Sequence, residues 1–211
     1  MSAQAAAAPV AIHRPLPPEE AARGHLYALL ARLLIAPPDA RLLRDIAAAP
    51  ALEPGGDPAL EKAWDGLVAA SSVMEPDAAA EEHEALFATM GKAAVSLYAG
   101  FYAGAPPVEH PRVRVRADLA ALGLAPRPDS TEPEDHLGGL LEAMRVLVAG
   151  GAGRESASLA EQRRFFEAHV QPAAGKFFSA LGTAEPANYY RKVADLGAAF
   201  VALEAESFSL D

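Results

Sequence analysis

The sequence predicts an all-α fold, a single-domain bundle of about nine helices. Three observations carry this. Apolar residues recur at intervals of three and four through most of the chain. Several of these windows open on Asp, Ser or Thr, with proline or glutamate placed where a first helical turn accepts them. Proline and glycine then punctuate the windows, and alternation of period two is nearly absent.

Residues 1–17 (MSAQAAAAPVAIHRPLP) are read as a disordered tail, since prolines and alanines leave no apolar face to bury. The tail also lacks the basic n-region of a secretory signal. Residues 18–211 form the helical domain. A first helix runs from Pro18 to Ala36 on Ala22, Leu26, Leu29, Leu30, Leu33 and Leu34, and Pro37-Pro38 ends it. Asp39 caps a short second helix through Leu42, Leu43 and Ile46. Asp57-Pro58 opens a third through Leu60, Trp64, Leu67 and Val68. A fourth starts near Pro76-Asp77 and runs through Leu86, Phe87 and Met90 to Gly91.

Ala94 to Tyr102 (AVSLYAGFY) fits a buried helix or a strand, and its neighbours favour helix. Arg112, Arg114 and Arg116 alternate with valines in a strand-like way before ADLAALGL returns to helical spacing. Beyond the central helix, Gly150, Gly151 and Gly153 read as a plain linker. Ser158 and Glu161 form a capping box ahead of Phe165, Phe166 and Val170, Pro172 starts the next helix, and a last one extends from Pro186 to about Ser207.

The central helix is the most informative. Leu137, Leu140, Leu141, Met144, Leu147 and Val148 share a face, and the segment before it, Thr131-Glu132-Pro133-Glu134-Asp135-His136, concentrates three carboxylates and an imidazole. Thr131 as N-cap, Pro133 in the first turn and Glu134 closing a capping box would account for half of that segment. Asp135 and His136 are left over, because capping needs neither. Gly138 and Gly139 each cost roughly 0.5 to 1 kcal/mol against alanine inside a helix, which points to close approach by another backbone, or mobility, beside a groove. Glu81 and Glu82 are read as solvated, or more sharply as an acidic rim to that groove. Leu97, Tyr98, Phe101 and Tyr102, with Leu86 and Phe87, suit a core as well as a binding surface.

Composition removes several functions. Eighteen basic against 28 acidic residues give a net charge of −10, which disfavours nucleic acid and favours, if anything, a basic peptide. The absence of cysteine excludes disulfides, thiolate catalysis and cysteine-held metal clusters. No apolar run approaches the roughly 18 to 20 residues of a membrane span, and a cytoplasmic location is expected. Glu132 and His136, four apart, could share a metal, but two ligands make no site, and Glu-x-x-His and His-Glu-x-x-His are missing. No nucleophile elbow, phosphate loop or dinucleotide fingerprint occurs. No catalytic residue, metal or cofactor is assigned.

Glu132-Pro133-Glu134-Asp135-His136 ahead of an apolar helix resembles the TorD/DmsD/NarJ family of molybdoenzyme maturation chaperones. RGHLYALLARLL with its double proline, EEHEALF, LYAGFYAG, RADLAALGL, EQRRFFEAHVQP and the closing aromatic helix follow that family's order across residues 20–206. The resemblance implies a TorD-like, non-enzymatic cytoplasmic protein. Such a protein binds the twin-arginine signal peptide and the apo-form of a molybdenum-cofactor oxidoreductase, and assists cofactor insertion before export. LYAGFYAG and RADLAALGL look closest to the branch serving formate dehydrogenases. The family's peptide-binding region maps onto Leu86, Phe87, Pro133, Asp135 and His136, with Glu132 as an added acid. Tyr98 and Tyr102 are added from the residue reading as walls of the groove. His83 departs from the family, standing where relatives often carry an aromatic ring. Some members bind guanine nucleotide and some form domain-swapped dimers, so a homodimer is among the states the resemblance allows. Two alternatives stand beside it: a helical nucleotide- or metal-dependent hydrolase, and an adaptor for a folded partner.

Overall fold

Helix α1 (Pro18–Ile35) and helix α6 (Leu137–Ala149) form the closest packed pair in the molecule, and the site is built at one end of it. Glycine makes that closeness feasible at both ends. A Cβ on Gly24 would lie 3.2 Å from that of Ala149, and a Cβ on Gly138 would lie 2.7 Å from Ile35 Cγ1 and 3.2 Å from the Ala31 carbonyl. Any larger side chain would force the helices apart. The two helices therefore run antiparallel, with the C-terminal end of α1 beside the start of α6. Gly139 meets nothing within 4 Å, so only the first of the paired glycines answers to close approach.

The computed structural model describes residues 16–53, 55–87, 93–102, 111–125, 132–151 and 153–210. The remaining helices are α2 (Ala40–Ala47), α3 (Pro58–Ser71), α4 (Pro76–Phe87), α5 (Pro111–Ala121), α7 (Leu159–Phe165), α8 (Gln171–Thr183) and α9 (Tyr189–Leu210). A π-helical turn, Phe166–Val170, joins α7 to α8 without a break, so by continuous rods there are eight helices among the described residues where about nine are expected. Among the described residues there is no strand, only isolated bridges at Tyr98–His136 and Gly151–Arg154. No described helix is long and apolar enough to cross a membrane. Nearly all of the tail expected at residues 1–17 lies outside the described residues, as does Met90.

Local signals place the helix starts where they are expected. Asp39 Oδ1 accepts from the Leu42 amide at 2.8 Å and Asp57 Oδ1 from the Leu60 amide at 2.7 Å. Ser158 and Glu161 close a reciprocal capping box. Each satisfies a backbone donor that the first turn leaves without a partner.

Five expectations are corrected. Residues 94–102 form no continuous helix: they are bends followed by one 3₁₀ turn, Ala99–Phe101. The arginine–valine alternation is helical, not strand-like, because only Val115 turns inward while the arginines stay out. Helix α9 starts three residues after Pro186, where Glu82 reaches across and accepts from the amides of Asn188, Tyr189 and Tyr190 at 2.7 to 3.0 Å. Glu82 is thus a remote helix cap, neither solvated nor a groove rim. On α1, Gly24, Tyr27 and Ala31 take the core face with Leu30, Leu33 and Leu34, while Ala22 is exposed.

The core is aromatic-rich where α8 and α9 meet, with Phe177, Phe178, Tyr189, Tyr190 and Phe200 all buried. Helix α9 lies against both α8 and α3. Glu204 of α9 is buried beside that core and takes Arg23 and Tyr27 from α1.

Candidate functional site

The segment before α6 folds differently from the capped start its residues suggest. Helix α6 begins only at Leu137, with His136 in extended conformation (φ −64°, ψ 124°) at the N-cap position and no capping hydrogen bond from its side chain. Thr131 lies outside the described residues, and Glu134 stands before the helix, not in its first turn. What holds the segment instead is a long-range pairing with residues 97–100. The Leu137 amide donates to the Leu97 carbonyl at 2.8 Å, and the Ala99 amide to the Asp135 carbonyl at 2.9 Å. The His136 amide turns back onto the Pro133 carbonyl at 3.0 Å. Pairing of this kind leaves successive side chains on opposite sides.

The motif therefore has two faces. On one, Asp135 is 3% exposed and its Oδ2 accepts from the Gly100 amide at 3.2 Å. Glu134 belongs to the turn before the pairing, outside its alternation, and lies against α5, where Arg116 Nε donates to its Oε1 at 2.6 Å. The Glu134 carboxyl is held below its usual range by a hydrogen bond from its own backbone, with Arg116 and Arg112 adding to the effect.

The other face opens on a cleft of about 530 Å³, within the roughly 300 to 1,000 Å³ typical of ligand pockets. Its apolar wall comes from Leu34 and Ile35 at the end of α1, Phe87 of α4, and Val95, Leu97 and Phe101. Ile35 is 51% exposed and Phe101 73% exposed. Its carboxylates and imidazoles are Glu84, Glu132, His83 and His136. Glu132 sits at the rim and accepts from the Tyr98 hydroxyl at 3.1 Å. The Tyr98 ring stands edge-on to the His136 ring, centroids 5.8 Å apart.

His136 is 5% exposed, lines the cleft and makes no side-chain hydrogen bond among the described residues. Burial lowers its pKa against the opposing pull of Glu132 and Asp135. His83 is likewise lowered by burial, and its Nε2 is enclosed with no partner. Lowering from the ordinary value favours the neutral ring in both at pH 7; His83 already meets the Leu34 backbone, so the open hydrogen-bonding capacity lies chiefly with His136. A cleft with unfilled hydrogen-bonding capacity at its floor, apolar walls and carboxylates at its mouth suits a peptide that is part basic and part apolar.

Of the residues the sequence singles out, Phe87, Tyr98, Tyr102, Glu132 and His136 line this cleft, whereas Leu86, Pro133 and Asp135 do not. Leu86 is fully buried in the core. The Tyr102 hydroxyl donates to the Ser96 carbonyl, burial pushes its pKa up to about 12, and its own carbonyl accepts from Lys176. Sequence reasoning misses Ile35 and Glu84 as lining residues, whereas His83 lines the cleft at the position where the family resemblance implies an aromatic wall. Ile35 alone carries a signal, being an apolar residue before the double proline that falls outside the helix's buried stripe. Among the described residues, no three His, Asp or Glu side chains gather to hold a metal ion.

A family model for the nitrate reductase delta subunit matches residues 53–179, more than half of the chain. No curated protein matches it. The matched span contains α3 to α7, most of α8 and the whole motif. That match shows the family, and the all-α fold agrees with it: the chain belongs to the nitrate reductase delta subunit family, a TorD-type domain of molybdoenzyme maturation chaperones that bind those enzymes' catalytic subunits.

Proposed function

We propose that the chain binds the twin-arginine signal peptide of a molybdenum-cofactor oxidoreductase in this cleft. It thereby holds the apo catalytic subunit in the cytoplasm and assists cofactor insertion before export. The single observation that carries the reading is the cleft's composition, an apolar wall with Ile35 and Phe101 left open to solvent, beside a carboxylate rim and an unsatisfied imidazole floor. A twin-arginine leader has the complementary halves, guanidinium groups followed by an apolar stretch. The volume accommodates a few residues of an extended segment, not a folded partner. Large exposed apolar side chains at the mouth of a cleft mark a surface meant to be covered.

Ile35→Asp and Phe101→Asp test this directly, because both side chains are exposed and neither supports the core. Each is expected to weaken binding of a leader peptide by about tenfold or more, since it places an unpaired charge against the apolar stretch. Melting should stay within about 0.5 kcal/mol of the parent protein, as for surface changes generally. Titration calorimetry with leaders of the nitrate reductase and formate dehydrogenase classes measures the loss and ranks the clients. Unchanged affinity in both variants would refute the assignment of the cleft.

A further inference from the structure

Helix α5 is thinly packed, and it stands behind the wall of the cleft. Of its eleven residues only Val115 is buried, against eight of the thirteen in α6. Leu122, just past its end, adds a second buried apolar group, and Leu119 is partly covered. With so little apolar burial, polar ties carry much of the attachment. Arg116 donates to Glu134, Arg112 approaches Glu134 and Asp135, and the Arg154 side chain reaches the Leu122 carbonyl. Asp118 Oδ2 lies 2.7 Å from Nε2 of His169, which stands on the π-helical turn. Arg116 and Asp118 are 66% and 46% exposed, and ties of that kind are individually weak. A helix held this way belongs to the low end of local stability.

What α5 lies against is the 3₁₀ turn Ala99–Phe101. The front of that turn lines the cleft with Phe101 and the flanking Tyr98 and Tyr102, whereas no residue of α5 does. Its back faces α5 at Gly100, where a Cβ would lie 3.8 Å from Pro111 Cγ. The same turn holds the floor of the cleft in place, since the Ala99 and Gly100 amides donate to the carbonyl and the side chain of Asp135, next to His136. Its far end is fixed to α8 by Lys176 Nζ, which donates to the Tyr102 carbonyl at 2.9 Å. Departure of α5 therefore takes away the support behind the wall without touching the wall's front.

We propose that α5 is a detachable strap whose docking keeps the cleft wall in shape, so that opening of α5 and occupancy of the cleft are thermodynamically linked. In the major state the strap is docked, with Asp118 latched to His169. In a minor state α5 releases while the rest of the bundle stays folded, and the turn at 99–101 relaxes. The relaxed wall binds poorly, so a ligand in the cleft suppresses the release by the same factor that release weakens the ligand. The fraction of chains with α5 docked is then the fraction able to bind. The inference rests on the cleft reading above for the ligand that probes it.

The test is amide hydrogen exchange on the full chain, resolved by helix, with and without a twin-arginine leader peptide whose binding is followed by fluorescence anisotropy. In the free chain α5 should exchange about tenfold or more faster than α6 and α8. Leader at about 100 times its Kd should slow α5 by about tenfold or more, although α5 contributes nothing to the cleft. Helix α2, which buries only Leu43 and Ile46 and also lies outside the cleft, should keep its rate. Asp118→Ala should speed exchange of α5 about fivefold in the free chain, the scale of one hydrogen bond lost, and bound leader should restore the protection. Exchange of α5 as slow as that of α6, slowing by bound leader no greater than in α2, or an unchanged rate in Asp118→Ala would each overturn the proposal. If no leader binds the parent protein, the cleft reading falls and Lys176→Met decides the coupling alone. Freeing the wall from α8 should speed exchange of α5 about threefold; an unchanged rate would overturn the strap as well.

Discussion

Glu204→Ala is expected to destabilise the fold by about 3–5 kcal/mol. Glu204 is 2% exposed, yet it is charged and carries three strong contacts. Arg23 holds it in a two-pronged pair, Nε to Oε1 and Nη2 to Oε2, both at 2.8 Å, and the Tyr27 hydroxyl donates to Oε2 at 2.7 Å. Burial next to that carboxylate pushes the Tyr27 hydroxyl well above its ordinary pKa, so it remains a donor at any working pH. Removing the carboxylate leaves a buried hydroxyl and a partly buried guanidinium without their main acceptor. Glu20 and Gln162 sit beside Arg23 but replace only a fraction of what is lost. Glu20→Ala, on the same cluster but more open to water, should cost no more than about 1 kcal/mol. Urea denaturation of the two variants separates a buried keystone from a surface pair. Equal, small losses would show that α1 and α9 are joined by apolar packing alone.

Gly197→Ala is the second large effect. A Cβ at Gly197 of α9 would lie 2.2 Å from Cε1 and 2.3 Å from Cζ of Phe178, whose ring is itself 2% exposed among the α8 aromatics. Neither ring nor backbone can yield without disturbing Phe177, whose centroid is 5.0 Å from that of Phe178. Overpacking of this kind costs about 1–3 kcal/mol, well in excess of the few tenths to 1 kcal/mol that alanine returns through helix propensity. Gly175→Ala in α8, where nothing lies within 4 Å, isolates the propensity gain and should be neutral or stabilising. Phe178→Leu should recover part of the loss in the double variant, since the two sites share one space. Additive losses would place the strain elsewhere.

What could be read from residues alone was whatever is decided within one turn or along one face. The caps at Asp39, Asp57 and Ser158 are local contests between a side-chain oxygen and a free amide, so the residue type fixes them. The inward stripe of α6 is equally local, and all six of its expected apolar positions are buried. The motif at 132–136 misleads because its partner, residues 97–100, lies more than thirty positions away in the chain. Pairing with that segment holds Asp135 and His136 out of the helix and sends their side chains to opposite faces. Glu82 and Glu204 are hidden for the same reason: each looks like a solvated acid on its own helix and is claimed by a distant element. The arginines of α5 read as a strand by alternation, yet their spacing of four is what lets two of them reach Glu134.

The central claim is that the cleft in front of His136 receives the leader of a client enzyme. Imidazole resonances report on it with little ambiguity, because His136 and His83 line the cleft, whereas His169 is bound to Asp118 at 2.7 Å and forms no part of it. With histidine rings labelled and a leader peptide titrated in, the account predicts large, saturable shifts for His136 and His83 and none for His169. Movement confined to His169, or no movement at saturating peptide, would contradict it.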